Sequence, residues 1–402
     1  MDTDGSGYGR IGAPGDEDRT LQQTGFGTPM GELLRRYWQP VCLSAELGDL
    51  PRRIRILGED LVAFRDGAGR AGLLYAHCIH RGASLEFGQI AEGGIRCCYH
   101  GWYFDAEGRC LDMPAEPPES DYRNKVRQPW YPVREYHGLV FAYMGPPDRV
   151  PAFPTYDILD DPDGERIAYR NFSRGEIAAC NWLQLQENAI DAAHLFILHT
   201  WHHGMHEFTD AYGERPDLAF ERTDSTVRYH REAVLANGNR FLRVGEVLVP
   251  TARSIAAPTV TGDDPEGETE PARMIGWWVP VDDVSTVGFH IEVQQPRADG
   301  TPRKPYQPQG VPERPYEERQ RMPDDWEAQI GQGAMASHAR EHLATSDMGI
   351  VHYRRLLQDG LMAIARGDDP PGVVRTGGDR RVHVAARNEV ARQAAGAEPA
   401  GV

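Results

Sequence analysis

Two short stretches, Cys78-Ile79-His80-Arg81-Gly82 and Cys97-Cys98-Tyr99-His100-Gly101-Trp102, decide how this chain is read. One residue separates Cys78 from His80, two separate Cys97 from His100, and sixteen lie between the pairs. Each loop thus offers one thiolate and one imidazole. Two such loops can meet across a [2Fe-2S] rhomb, with both thiolates on one iron and both neutral imidazoles on the other. Replacing two anionic ligands in this way raises the reduction potential above that of an all-cysteine cluster and makes a one-electron relay. The competing reading is a structural zinc site, for which Cys2His2 is a common donor set. Zinc knuckles usually pair Cys with Cys and His with His, whereas here each loop holds one of each. Arg81-Gly82 and Gly101-Trp102 are loop residues able to turn backbone amides toward sulfur, a contact that tunes cluster potential.

The chain has 402 residues, long enough for two domains with substantial cores, and 40% of them are hydrophobic. No apolar run approaches the ~18 residues of a membrane span. Met1 to Thr20 is rich in Gly and Asp with no apolar core of a signal peptide, so no membrane association and a cytoplasmic location are expected. A net charge of −17 argues against nucleic acid, whose phosphates would be repelled. Of six cysteines, Cys42, Cys98, Cys110 and Cys180 remain after the cluster pair and are read as reduced and structural. There is no nucleotide-binding glycine fingerprint, so any NAD(P)H must be oxidised on another protein.

Thr28-Pro29 opens a helix expected to continue from Met30 to Trp38. Strands are predicted at 53–57, 60–65, 71–75 and 138–144, and the proline-rich run after Gly145 marks a domain boundary. Further strands are predicted at 226–234, 240–249, 274–279 and 285–294, with helices at 178–198 and 346–366. Ser346 is the expected cap of the last helix, Ile350, Leu357, Leu361 and Ile364 its apolar positions, and Gly367 and Pro370 its stop. The polar, Pro-rich segment 295–325 reads as loop. These elements divide the chain into a flexible arm (1–25), an all-β cluster domain (26–147), a second domain (148–388) and a flexible tail (389–402).

The second dense group of ligand chemistry is Glu187-Asn188-x-x-Asp191-x-x-His194-x-x-x-x-His199. Two imidazoles and one carboxylate make the facial triad of non-haem Fe(II) oxygenases. At about 100° per residue, Glu187, Asp191 and His194 share a helical face, and His199 lies about 140° from His194. The helix is therefore expected to end or bulge between Leu195 and Leu198. Asp347, at the start of the last long helix, offers a third ligand, or else sits in that helix's first turn because the dipole favours negative charge there.

Over nearly its whole length the sequence resembles the large subunit of Rieske non-haem iron aromatic-ring oxygenases. Cys78, His80, Cys97 and His100 match the family's cluster positions and His194 and His199 its iron positions. Glu341 to Leu357, with Ser346-Asp347-x-Gly349 and Arg354-Arg355, and Trp278-x-Pro280-x-Asp282-Asp283 resemble the phthalate dioxygenase-like branch. Ile79 stands where the family commonly has proline, a change expected to alter loop stiffness and leave ligation intact. The resemblance implies an α+β fold, an N-terminal all-β Rieske domain followed by an antiparallel-sheet helix-grip catalytic domain. It implies one [2Fe-2S] cluster and one mononuclear Fe(II) per subunit, with Asp347 as third iron ligand. Asp191 would be the carboxylate linking the iron site to a neighbour's cluster; Glu187 and Asn188, in the same segment, are expected to stand behind the iron ligands. It also implies a homotrimer or stacked hexamer, an NAD(P)H-dependent flavin/ferredoxin-type reductase, and O2-dependent hydroxylation, O-demethylation or ether cleavage of a small aromatic, carboxylated substrate. An electron carrier of the same cluster type is the alternative, although it needs only the first domain, about 120 residues. Trp201, Phe196, Trp277 and Trp278 are candidate pocket aromatics, and Arg243 and Arg253 candidate partners for a substrate carboxylate. His202, His203 and His206 read as an entrance loop, with a third metal as the alternative.

Overall fold

The computed structural model describes residues 17–162, 164–171, 177–201, 215–234, 239–256, 269–294, 314–375 and 378–391. His202, His203 and His206 lie outside them. Helix α1, Pro29–Leu34, begins where expected: Thr28 Oγ1 accepts from the Gly31 amide at 3.2 Å, and proline occupies the first turn. It ends four residues before the expected Trp38. Pro40 steers the preceding residue into extended backbone, and Trp38–Leu43 becomes a strand pairing with Leu139–Tyr143. The buried Gln39 amide closes the helix end by donating to the Leu34 carbonyl.

The N-terminal part is β-rich throughout. Arg52–Ile56, Glu59–Arg65 and Ala71–Tyr75 form one antiparallel sheet. Gln89–Ala91, Gly94–Arg96, Tyr103–Phe104 and Cys110–Asp112 form a second, and both cluster loops emerge beside its own small core of Phe64, Leu85, Ile95 and Phe104.

In the C-terminal part a nine-stranded antiparallel sheet runs in the order Glu165–Asn171, Ser285–Gln294, Met274–Asp282, Ala252–Ile255, Arg240–Leu248, Thr226–Val234, Asp217–Arg222, with Arg387–Ala391 and Thr269–Pro271 branching from it. Residues paired across strands share a face. Trp277 pairs with Phe289 and Ala252, and that face packs Trp277 edge-on against Phe141 and Tyr156 of the N-terminal half and domain boundary. The opposite face carries Tyr169, His290, Gly276, Arg253 and, two residues along, Trp278. Against it lie the helices α2 (Trp182–Asn188) and α5 (Asp325–Gly331); α3 (His194–Trp201) follows α2 in the chain, and α6 (Met348–Ala365) packs on the far strands. This is the α+β helix-grip layout.

Four further expectations need correction. The helix foreseen at 178–198 is two helices, α2 and α3. The segment foreseen as loop contains α4 (Tyr316–Arg321) and the start of α5; its part at 295–313 lies outside the described residues. Residues 17–25 of the expected arm are packed in place: Gln22 and Thr24 are buried, Gln22 donates to the Ala336 carbonyl, and the Thr24 amide donates to Asp283. Residues 389–391 of the expected tail are paired in a strand. Among the described residues no helix is long and apolar enough to cross a membrane.

Candidate active site

The two cluster loops are the same turn built twice. In the first, the Cys78 amide donates to the Ala83 carbonyl and the Gly82 amide returns to the Cys78 carbonyl; in the second, Cys97 donates to Trp102 and Gly101 returns to Cys97. Each turn needs its fourth residue after the cysteine at positive φ, +75° at Gly82 and +72° at Gly101, where a side chain would be strained. Inside the first turn the amides of His80 and Arg81 point at the Cys78 sulfur. The turns bring His80 and His100 together, ring centroids 4.6 Å apart, and His80 stacks flat on Trp102 at 4.4 Å. Both cysteines are buried. Of the remaining cysteines, Cys42, Cys110 and Cys180 are also buried; Cys98, expected to be structural, is exposed.

One supporting residue was not foreseen. Gln128 is fully buried and spans the first loop, its Nε2 donating to the carbonyls of Tyr75 and His77 while its Oε1 accepts from the Ile79 amide at 2.8 Å. Nothing in the local sequence marks it, because its side-chain partners are about fifty residues away.

The second site begins with α2, capped by Asn181 and buried on nearly all sides. The chain breaks at 189–193, where Asp191 Oδ1 accepts from the amides of Ala193 and His194 and so starts a new helix at His194. The break therefore falls before His194, and α3 runs unbroken through His199. The histidines still meet, with ring centroids 5.3 Å apart. His194 is the first helical residue and its ring folds back on the Asp191 carbonyl, 2.5 Å from Nδ1, while helical side chains such as His199 lean toward the helix start. A carbonyl only accepts, so His194 carries its proton on Nδ1 and presents Nε2.

The third member of this group is Asp325. His194 Nε2 lies 3.6 Å from Asp325 Oδ1 and His199 Nε2 3.5 Å from Asp325 Oδ2; donor atoms of the three residues all fall within 4.8 Å of one another. Asp325 stands at the first residue of α5, whose start is fixed by a capping box: Asp324 accepts from the Trp326 amide and Glu327 accepts from the Asp324 amide. Asn188 Nδ2 approaches Asp325 Oδ1 at 3.2 Å. Asp347 is not in this group. Its carboxylate accepts from the Ala344 amide at 2.6 Å and holds the turn that opens α6, so its charge serves the helix start. The Asp-x-x-Glu capping signature at 324–327 was the sequence signal that a helix, and hence a fixed carboxylate, begins there.

Glu187, on α2, is held by α6. Arg354 of α6 grips it through Nε at 2.6 Å and Nη2 at 2.8 Å and also pairs with Glu341. Burial pushes the Glu187 carboxyl up, and Arg354 opposes that shift. Glu187, His338 and Glu341 also cluster closely enough for a cation, but the Arg354 guanidinium already fills that role. Of the candidate pocket groups, Trp277 lies on the wrong face of the sheet, and Arg243 is committed to Tyr229, Asn388 and the Ala256 carbonyl. Phe196 is half-buried on α3, and the Trp201 side chain lies outside what is described. Trp278 and Arg253 lie on the site face, with the guanidinium carbon 3.8 Å from the Trp278 ring centre. Burial lowers the Arg253 pKa to about 9 against the opposing pull of Tyr169 and Asp325.

Residues 37–137 match the Rieske [2Fe-2S] domain. The phenoxybenzoate dioxygenase alpha subunit of Ectopseudomonas oleovorans is 42% identical over 393 residues, covering 96% of this chain and 94% of that one. The chain belongs to the Rieske oxygenases, as an oxygenase alpha subunit. A second relative of this Rieske oxygenase, the tert-butanol monooxygenase / tert-amyl alcohol desaturase oxygenase subunit of Aquincola tertiaricarbonis, is 43% identical over 376 residues, covering 88% of this chain and 78% of that one. In fold it resembles dicamba monooxygenase bound to dicamba, with a TM-score of 0.59 at 19% identity over 83% of this chain and 99% of that one. The Rieske oxygenase is thus an oxidoreductase, the terminal oxygenase of its system, and not a bare electron carrier.

Proposed function

We propose that His194, His199 and Asp325 hold one Fe(II) per chain and that Cys78, His80, Cys97 and His100 hold one [2Fe-2S] cluster. The enzyme then uses O2 to hydroxylate an aromatic acid or to cleave its aryl or methyl ether. The observation that carries this reading is the convergence of two imidazoles and one carboxylate from α3 and α5, the donor set of non-haem Fe(II) oxygenases. The cluster set fits on a separate ground: His80 Nδ1 is buried with no hydrogen-bond partner among the described residues, a state that ligation would satisfy. When bound, the cluster relays single electrons and the iron supplies open positions for O2 chemistry.

The remaining work falls to side chains. The Asp191 carbonyl fixes the His194 tautomer, Asn188 orients Asp325, and the sheet face bearing Trp278 excludes water. Asp191 spends Oδ1 on the start of α3, while its other oxygen stays 3.8 Å from His194 Nδ1 with the side chain 28% exposed. That accessible oxygen supports a contact with the His100 end of a neighbouring protomer in a homotrimer or stacked hexamer. An NAD(P)H-dependent flavin/ferredoxin-type reductase and a cytoplasmic location belong to the same reading. The relative named for phenoxybenzoate supports an aryl ether acid as substrate.

Anaerobically purified enzyme should show the visible absorption and paramagnetic signal of a mixed-ligand cluster plus about one further iron per chain. With a surrogate reductase, a panel of methoxylated, phenoxy and dicarboxylated benzoates should give O2 uptake and hydroxylated or ether-cleaved products by mass spectrometry. Zinc in either site, or iron in the cluster alone, contradicts the reading.

A further inference from the structure

Arg253 occupies the middle of the sheet face that looks toward the iron site, in register with Gly276, His290 and Tyr169. It is only 6% exposed, and Nη2 lies 2.9 Å from His290 Nε2. A guanidinium only donates, so His290 accepts on Nε2, is neutral, and carries its proton on Nδ1. Gly276 makes room for this ring: a Cβ there would come within 2.4 Å of it. Tyr169 stacks on its other side at 5.2 Å.

Two polar atoms of this cluster are buried with no hydrogen-bond partner among the described residues, Arg253 Nη1 and His290 Nδ1. Both are donors, so what the cluster lacks is an acceptor. Native interiors rarely leave such groups unpaired, least of all on a cation. Asp325 is the carboxylate whose charge reaches Arg253, but it is engaged with His194 and His199. Trp278, under the guanidinium, packs in one cluster with Trp326 and Ile330 of α5, the helix that carries Asp325. An anion received here would lie next to the metal-binding group.

We infer that Arg253, held by His290 and Trp278, is the specificity residue that receives the carboxylate of an aromatic acid substrate through Nη1. This rests on the aromatic-acid reading above and gives it a named group. It also separates two relatives of similar identity, one named for an acid and one for neutral alcohols: a buried, unsatisfied cation favours the acid.

The test is anaerobic binding to the iron-loaded enzyme of 3-phenoxybenzoate and of the neutral 3-phenoxybenzyl alcohol, by calorimetry. Arg253→Gln should weaken the acid by about 100-fold and the alcohol by less than about 3-fold, and Arg253→Lys should recover part of the acid affinity. An unchanged cluster spectrum serves as the control for folding. Equal effects on acid and alcohol, or none on either, overturn the assignment of Arg253 alone. Failure of the unmodified enzyme to bind either compound overturns the substrate reading as well.

Discussion

In the cluster region all four proposed ligands come from two copies of one hairpin turn, and each turn sets its own cysteine and histidine by hydrogen bonds that span five residues. The iron site is assembled the other way: His194 and His199 come from one short helix, and their carboxylate arrives on a helix that begins more than a hundred residues later. A ligand set closed by local turns tolerates changes elsewhere in the chain. A set closed by tertiary packing depends on each neighbour that aims its members. The two regions should therefore fail in different ways when supporting residues are removed.

The largest effect is expected at Asp191, the residue proposed to join one region to the other across protomers. Asp191→Asn retains the acceptor oxygen that starts α3, so both metals should stay bound, while product formed per reductant consumed falls by at least about 100-fold. Unchanged coupled turnover would remove its proposed role. Next is Gln128. Leucine in its place strips three hydrogen bonds from the first cluster loop and leaves partly buried backbone groups unmet, at about 1 kcal/mol each. Loss of the cluster absorption on mild heating, with the mononuclear iron kept, is the expected outcome; simultaneous loss of both would show that the regions are not independent. Asn188→Ala releases Asp325 and should weaken iron binding by about 10–100-fold in a chelator titration without touching the cluster spectrum. The smallest effect belongs to Asp347→Ala, which removes only a capping contact and should cost about 1 kcal/mol in denaturant unfolding with iron content unchanged.

The same contrast explains what the sequence made legible. Cys78, His80, Cys97 and His100 could be read from spacing because a local turn closes each pair. The strands at 226–234 and 285–294 fall where expected because alternating apolar residues and flanking turns define them. His194 and His199 were legible as chemistry, but the course of their helix was not. The periodic apolar pattern from 178 to 198 hides Asp191 as a cap, and side-chain capping overrides that pattern locally. Asp347 and Asp325 both stand at helix starts, and one sequence cannot say which start packs against α3. The Asp324-x-x-Glu327 box marks a helix inside a polar, proline-rich segment, where composition had suggested loop. Gln128 and the unmet donors of Arg253 and His290 become visible only once distant strands lie side by side.

The central claim, that a distant carboxylate on α5 and not the one opening α6 completes the iron site, is tested most directly by counting iron in Asp325→Ala and Asp347→Ala purified side by side. The expected result is loss of about one iron in three from the Asp325 variant, with its cluster signal intact, and a full complement in the Asp347 variant. Full iron in the Asp325 variant, or its loss from the Asp347 variant, would contradict the account.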